Sequence, residues 1–377
     1  LKRKSARRGN AKAADASKWK EASLDKEARR QKRRLLKTRV QPIKVRGGMP
    51  VAELVGAMSG MSVQARNLGQ CAEVLDGIYT DRKRPTVFLG LAGPLIAAGL
   101  RQVIRDLVAG RYVDVVVSTG AIMYQDIYQA RGYGHYVGSP AADDTVLHDL
   151  YIDRIYDTYV DEEKFRATDL WCGQVADELE PGVYSSRSYL DAIGERLTDE
   201  DSIVRQCHKL GVPIFCPALN DSSIGIGLTD HRYRCHAAGR AGIAIDSIRD
   251  NYELAQIVVK SRSTAAIYVA GGVPKNYIND AVVMGYIFGL ERGHDYALQV
   301  TTAVTQDGGL SGSTLGEAQS WGKIGKKARF AMAWVEPSVS LPLLAAYAMD
   351  RYPARPRPGL KLTWEGEVLR GMDEVED

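Results

Sequence analysis

"TVFLGLAGPLIAAGLRQVIRDLVAGRYVDVVVSTG", Thr86 to Gly120, decides the fold class. Its two ends, Thr86–Gly93 and Val113–Gly120, are short β-rich runs in which apolar residues follow one another without alternation. Continuous apolarity suits strands covered on both faces, and therefore a parallel sheet. Between the runs Leu100, Val103, Ile104, Leu107 and Val108 recur at helical spacing. Pro94 opens this predicted helix and Gly110 closes it. Strand, helix and strand make one βαβ unit.

The same texture returns in "VPIFCPAL" (212–219), "AAIYVAGG" (265–272), "YALQVTT" (296–302) and "FAMAWVEP" (330–337). The expectation is an α/β fold, a Rossmann-like parallel sheet flanked by helices, in a single large domain over residues 47–352. A basic N-terminal arm, residues 1–46, precedes it, and a proline-punctuated, then acidic tail, 353–377, is expected to lie on its surface. The 377 residues suffice for one large core.

Composition narrows the function classes. With 45% hydrophobic and 25% charged residues and no long apolar run, neither a membrane span nor a secretory signal is expected. Five scattered cysteines without a CxxC pair fit a reduced, cytoplasmic setting. Cys207-His208 and Cys235-His236 are adjacent pairs whose side chains point apart, so no metal site is expected. The arm carries eighteen Lys/Arg against four acids, which leaves the rest of the chain near −10 under a total of +4. It reads as a flexible or partly helical tail, or as a contact for nucleic acid or an acidic partner.

Each strand run ends in small or polar residues: "GLAGP", "STGA", "NDSSIG", "AGGVPK", "TTAVTQDGG" and "EPS". In open parallel sheets ligands bind beyond the carboxyl ends of the strands, where backbone N–H groups reach phosphates. The pattern points to a nucleotide or dinucleotide, although no GxGxxG fingerprint is present. A pyrophosphate is expected near Gly93, Pro94 and Leu95 and near Gly308, with Gly120 and Gly272 also at strand ends. Asp221 and Glu336 are placed for ribose hydroxyls, or else simply form turns and caps.

In "EAQSWGKIGKK" (317–327), Lys326 and Lys327 read as solvent-facing charge. Lys323 lies between Trp321-Gly322 and Ile324, six residues after Glu317. It is either a surface lysine lying along apolar neighbours or an amine that attacks carbon. Together with "TVFLGLAGPLIAAGLRQVIRDLV", "CPALNDSSIG", "AGGVPKNYI", "TTAVTQDGG" and "VEPSVSLPLLAAYA", this run resembles deoxyhypusine synthase, in the same order, over about residues 85–347.

The resemblance implies a tetrameric, NAD-dependent, Rossmann-like enzyme with active sites between subunits. That family oxidises spermidine, holds the aminobutyl fragment as an imine on a lysine, and passes it to a lysine of translation factor 5A. Lys323 matches the imine-forming lysine, and Trp321 and Glu317 match residues of the amine tunnel. Gly93, Thr119, Asp221, Gly271, Thr302, Ala303, Asp307, Gly308 and Glu336 fall where NAD contacts are expected. A protonated lysine cannot attack, so burial beside an indole and a cationic nicotinamide suits the chemistry.

Departures from the family pattern fall in the amine half. Asn276 stands where the family has a catalytic histidine, and Tyr124-Gln125 where it has paired glutamates. Two further aspartates correspond to Ile226 and Leu310. Each lost charge-assisted hydrogen bond is worth about 1.5–3 kcal/mol, so the amine site cannot be the same one. Asp126 and Tyr124 are candidates to replace what is lost. Three readings follow: an aminobutyl transferase acting on a free diamine and forming homospermidine, a deoxyhypusine synthase, and a non-catalytic NAD-binding paralogue.

Overall fold

The computed structural model describes residues 24–353 and 357–375. The first half of the basic arm lies outside the described residues. The remainder of the arm contains one helix, Lys26–Leu35, capped by the Asp25 carboxylate on the Ala28 N–H at 2.8 Å.

The body, from residue 42 onward, is built on six parallel strands. They are β1 (Thr86–Leu91), β2 (Val115–Ser118), β3 (Ile214–Phe215), β4 (Thr264–Val269), β5 (His294–Val300) and β6 (Ile324–Ala333). Each overlaps one of the apolar runs picked out above. Their spatial order is β6-β5-β4-β1-β2-β3. This is a doubly wound arrangement in which strand order reverses between β1 and β4, and the crevice outside that switch point is where such sheets take ligands. Register fixes the crevice: Leu91 pairs with Ser118 on one side and Val269 on the other, so three strand ends are level.

Every residue of β1 and β4 is buried. Val87, Leu89, Leu91, Ile267 and Val269 enter the core on one face, and Phe88, Ala266 and Tyr268 that on the other. Both faces are covered, which is why the runs do not alternate. Helices α1 (Arg101–Ala109), α2 (Gly120–Ala130), α3 (Ser223–Ala237), α4 (Gly272–Gly285), α5 (Leu315–Ser320) and α6 (Pro337–Arg351) each follow the strand of the same number.

Three expectations are corrected. α1 opens at Arg101 rather than Pro94, because Gly99 adopts φ +84°, a left-handed conformation that breaks the turn before it. β6 begins at Ile324 rather than Phe330. It is an edge strand, and its polar Gly325–Arg329 stretch mixes exposed and half-buried positions, which hid it from an apolar reading. Residues 359–375 are more than a surface tail. Gly359–Glu365 and Val368–Val375 form an antiparallel hairpin that buries Leu360 and Leu369 and stacks Trp364 under the Arg187 guanidinium, 4.1 Å from the ring centre. Arg357 anchors the segment before it, donating to Asp114 at 2.7 Å.

Beside the sheet lie a three-stranded antiparallel unit (Tyr136–Val137, Thr158–Asp161, Ile152–Ile155) and a parallel pair (Gly182–Tyr184, Ile243–Ile245). All five cysteines are buried and unpaired. Among the described residues no helix is long and apolar enough to cross a membrane.

Candidate active site

Lys323 is the last residue before β6, and its side chain is turned inward. Gly322 allows this, with φ +73° and its carbonyl accepting from Tyr286 Oη at 3.4 Å. The Lys323 N–H donates to the Ala318 carbonyl and its own carbonyl accepts from His294 N–H, at 3.1 and 3.0 Å, so the backbone is fixed on both sides. The side chain is 16% exposed. Its Nζ donates to Asn276 Oδ1 at 3.0 Å and lies 3.0 Å from Asp280 Oδ1. Asn276 Nδ2 donates in turn to Asp280 Oδ2 at 2.8 Å. Asn276 and Asp280 are four apart on α4 and so share a face. The indole of Trp321 completes the group, 5.7 Å from Nζ to the ring centre. Trp321 caps the end of α5 rather than continuing it, and both Trp321 and Glu317 face solvent.

A second lysine supports the first. Lys275 is 1% exposed, and its ammonium donates to the Leu310 carbonyl at 3.0 Å, the Ser313 carbonyl at 2.6 Å and Ser313 Oγ at 3.2 Å. Burial pushes its ammonium down to about 8, with Glu317 opposing and the Lys323 charge reinforcing the shift. Gln299, fully buried, donates to the carbonyls of Ala270 and Ser311 at 2.7 and 2.8 Å. Ala270 sits at φ +63°, unusual for a residue with a side chain. A side chain on Gly271 would meet Ser311 Cα at 2.7 Å. The β4–α4 turn and the 305–313 loop are therefore packed as one piece.

The carboxyl edge fits a dinucleotide. Gly93 and Gly308 have φ +87° and +69°, and a Cβ on either would meet nothing within 4 Å, leaving backbone open to a ligand. Thr119 and Ser222, at the starts of α2 and α3, make no side-chain cap. In contrast, the helices opening at Asp144, Ser186, Ile203 and Ser247 have capping carboxylates or hydroxyls just before them. A Cβ on Gly120 would come within 2.4 Å of Ser222 Oγ, so the two uncapped N-termini are neighbours. Their free N–H groups suit a pyrophosphate. Pro94, Thr302, Asp221 and Asp307 are at this edge, Pro94, Thr302, Asp221 and Asp307 all exposed, Leu95 buried, and Ala303, Gly272 and Thr119 half-buried. Asp307 accepts from the Gly309 N–H at 2.7 Å, a turn-forming bond that leaves its other oxygen free of that contact.

Several candidates take structural parts instead. Tyr124 is 2% exposed and donates to the Phe165 carbonyl at 2.6 Å, so its expected place against the substrate is corrected to a core position. Gln125 Oε1 accepts from Ala97 N–H at 3.2 Å, tying the β1–α1 loop to α2. Asp126 is fully buried, paired with Arg101 at 2.7 Å and accepting from Ser202, Ile203 and Val204. It cannot replace a lost substrate carboxylate. Glu336 caps α6 through the Ser338 N–H at 2.8 Å, the second of the two roles it could have.

Asp177, His231 and Cys235 bring ligating atoms within 4.8 Å of one another, a cluster the adjacent-pair reading missed. His231 Nδ1 is 2.7 Å from Asp177 and Nε2 accepts from Ile243 N–H at 3.1 Å, while Arg234 and Arg240 bind the same carboxylate. Two guanidiniums supply the positive charge there. The residues around Lys323 and the loop beside it that the sequence did not single out are Lys275, Gln299 and Asp280. Asp280 had a signal, its i,i+4 spacing from Asn276; Gln299, inside an apolar strand, had none.

A family described as deoxyhypusine synthase matches residues 53–348. The deoxyhypusine synthase-like protein of Chlorobaculum tepidum is 42% identical over 334 residues, 87% of this chain and 91% of that one. "Probable deoxyhypusine synthase 2" of Methanosarcina acetivorans is 39% identical over 331 residues, 86% of this chain and 94% of that one. A solved structure from Entamoeba histolytica, assigned as a deoxyhypusine synthase, aligns over 82% of this chain and 96% of its own with a TM-score of 0.55 at 17% identity, a likeness of fold.

Proposed function

The chain belongs to the deoxyhypusine synthase family, and on that premise we propose that it is an NAD-dependent aminobutyl transferase of polyamine metabolism. It oxidises spermidine or putrescine and passes the four-carbon fragment, through an imine on Lys323, to a free diamine, as in homospermidine formation. The observation that carries this reading is the Lys323 amine itself, inward-facing and held at 3.0 Å by both Asn276 and Asp280.

The backbone at Gly93, Thr119, Gly120, Gly271 and Gly308, with the exposed Asp221 beside them, would hold NAD, which when bound would supply the oxidising equivalent for the amine carbon. The chain's residues do the rest. Trp321 offers a ring face to a substrate ammonium and Glu317 the opposite charge. Asn276 orients the Lys323 amine but has no basic group with which to take its proton. Lys275 and Gln299 keep the loop over the crevice in place. In the assembly the resemblance implies, four copies place each amine site against a neighbouring subunit. A free diamine as acceptor accords with the missing carboxylates at Ile226 and Leu310, because a site rebuilt there no longer has the family's donor contacts.

The test is covalent trapping. The protein is incubated with NAD and either spermidine or putrescine, reduced with borohydride, and mapped by mass spectrometry. Lys323 gains the aminobutyl mass, Lys323→Arg gains none, and added putrescine releases homospermidine. The relatives named as probable deoxyhypusine synthases favour a second reading. Under it the fragment goes to a lysine of translation factor 5A and not to a diamine. An unmodified Lys323 under all these conditions refutes both and leaves an NAD-binding, non-catalytic paralogue.

A further inference from the structure

We propose that Asp280 is the proton carrier of the reaction at Lys323, taking the part that Asn276 cannot. The inference rests on the reading of Lys323 as the imine-forming lysine. Three observations lead to it. Asp280 Oδ1 lies 3.0 Å from Nζ, the reacting atom, with no intervening group. Its other oxygen is fixed by Asn276 Nδ2 at 2.8 Å, so the carboxylate is aimed rather than free to rotate. Its side chain is 43% exposed against 16% for Lys323, so it reaches both the amine and the space a substrate enters.

The neighbouring groups leave it the task. Lys275 spends its three donors on Leu310 and Ser313. Trp321 has no basic atom, and Glu317 is not within ion-pair distance of Lys323 among the described contacts. Asp280 is the carboxylate that touches the amine. A purely structural ion pair is the competing account, since exposed pairs contribute little and are common.

The steps balance. The Lys323 ammonium gives one proton to Asp280, and the freed lone pair of Nζ attacks the electrophilic carbon of the fragment. When that carbon is an iminium, the departing nitrogen receives the first proton back from Asp280. Asp280 then takes a second proton from Nζ as the bond to the departing amine breaks, and the freed amine accepts that second proton and leaves as an ammonium. When it is an aldehyde, the oxygen receives the first proton to give the carbinolamine, and a second proton carried from Nζ by Asp280 lets it leave as water. Either way the lysine ends as an iminium and Asp280 as a carboxylate.

The aldehyde route gives a test without NAD. Protein is mixed with 4-aminobutanal, quenched with borohydride over a time course, and Lys323 labelling is quantified by peptide mass spectrometry. General acid–base catalysis contributes about 10²-fold or more, so Asp280→Asn is expected to slow labelling of Lys323 by about that factor at unchanged secondary structure and melting temperature. Asp280→Ala, which opens space at a solvent-accessible position, is expected to be as slow and to be accelerated by added formate. Labelling of Asp280→Asn at the wild-type rate overturns the proposal. So does a slow Asp280→Ala that formate does not accelerate, because a lost clamp is not restored by a diffusing carboxylate. A wild type that labels with the aldehyde but not with spermidine and NAD refutes the transferase reading while leaving the role of Asp280 standing.

Discussion

Asp126→Asn separates architecture from chemistry in the segment where the family keeps its glutamates. Asp126 Oδ1 accepts from Arg101 Nε at 2.7 Å and Ile203 N–H at 3.0 Å; Oδ2 accepts from Ser202 Oγ at 2.7 Å and Val204 N–H at 3.0 Å. An asparagine must turn its NH₂ toward one of these pairs. Toward Oδ1's partners it meets a guanidinium and an amide; toward Oδ2's, the Ser202 hydroxyl can rotate but the Val204 N–H cannot. Breaking a buried ion pair costs about 3–5 kcal/mol. Arg101 keeps Asp199 at 2.7 Å, a partner at 30% side-chain exposure, so the lower end, about 3 kcal/mol, is expected. Urea denaturation followed by circular dichroism, extrapolated linearly to water, measures it. A loss below about 1 kcal/mol refutes the claim that this carboxylate organises the start of the Ile203–Leu210 helix. If instead the folded variant loses Lys323 labelling at unchanged stability, Asp126 belongs to the amine site after all.

Two further outcomes follow from the same packing. Burial, reinforced by the Glu253 charge, pushes the Asp250 carboxyl up to about 7, and its Oδ2 has no hydrogen-bond partner. The folded state thus holds this proton more tightly than the unfolded chain. The associated stability is present below about pH 4 and is lost as pH rises toward 7, by about 2–4 kcal/mol. Asp250→Asn should remove that slope in urea titrations between pH 4 and 7, and a wild-type slope in the variant contradicts the assignment. At Gly322 a Cβ would lie 2.5 Å from Tyr286 Oη at φ +73°. Gly322→Ala should therefore cost only about 1–2 kcal/mol, because Tyr286 is 40% exposed and can move. It should nevertheless cut Lys323 trapping much more, and full trapping would show that the turn does not aim the lysine.

The sheet was legible because both of its faces are covered. Val87 to Leu91 and Ala265 to Val269 are apolar at every position, a signal that needs no partner to interpret. The order of strands was not legible, since nothing local distinguishes β4 beside β1 from β4 at an edge. Boundaries failed where backbone conformation outweighed periodicity, at Gly99, and where an edge strand carries polar residues, at Gly325–Arg329. Within the site, Lys323, Trp321 and Glu317 stood out because their run is unusual in sequence. Lys275 and Gln299 did not, since their importance lies in carbonyls 12 to 38 residues away. Tyr124 and Asp126 misled for the opposite reason: polar residues beside a strand end can as easily be turned inward to hold helices together.

The topology raises a question that the strand-end rule alone does not answer. Dinucleotide contacts belong to the carboxyl edge, yet Lys323 stands at the amino end of β6, paired at the level of His294 at the start of β5. α4 closes that gap. It begins at Gly272 on the carboxyl edge and runs back along the sheet, so at 1.5 Å per residue Asn276 lies about 6 Å and Asp280 about 12 Å down its axis. Both project from one face toward the Lys323 side chain, which reaches up to meet them. The helix thus sets the separation between the carboxyl edge of the sheet and the Lys323 amine. Lys275 on the same helix pins the 310–313 segment to it. A histidine at position 276 would place its ring near the upper end of this span. Asn276 leaves only an amide there, and the nearest carboxylate is one turn lower, at Asp280, beside the amine itself. With asparagine at 276, the basic group beside the amine stands one turn further along α4, at a position that touches the same Nζ at the same 3.0 Å.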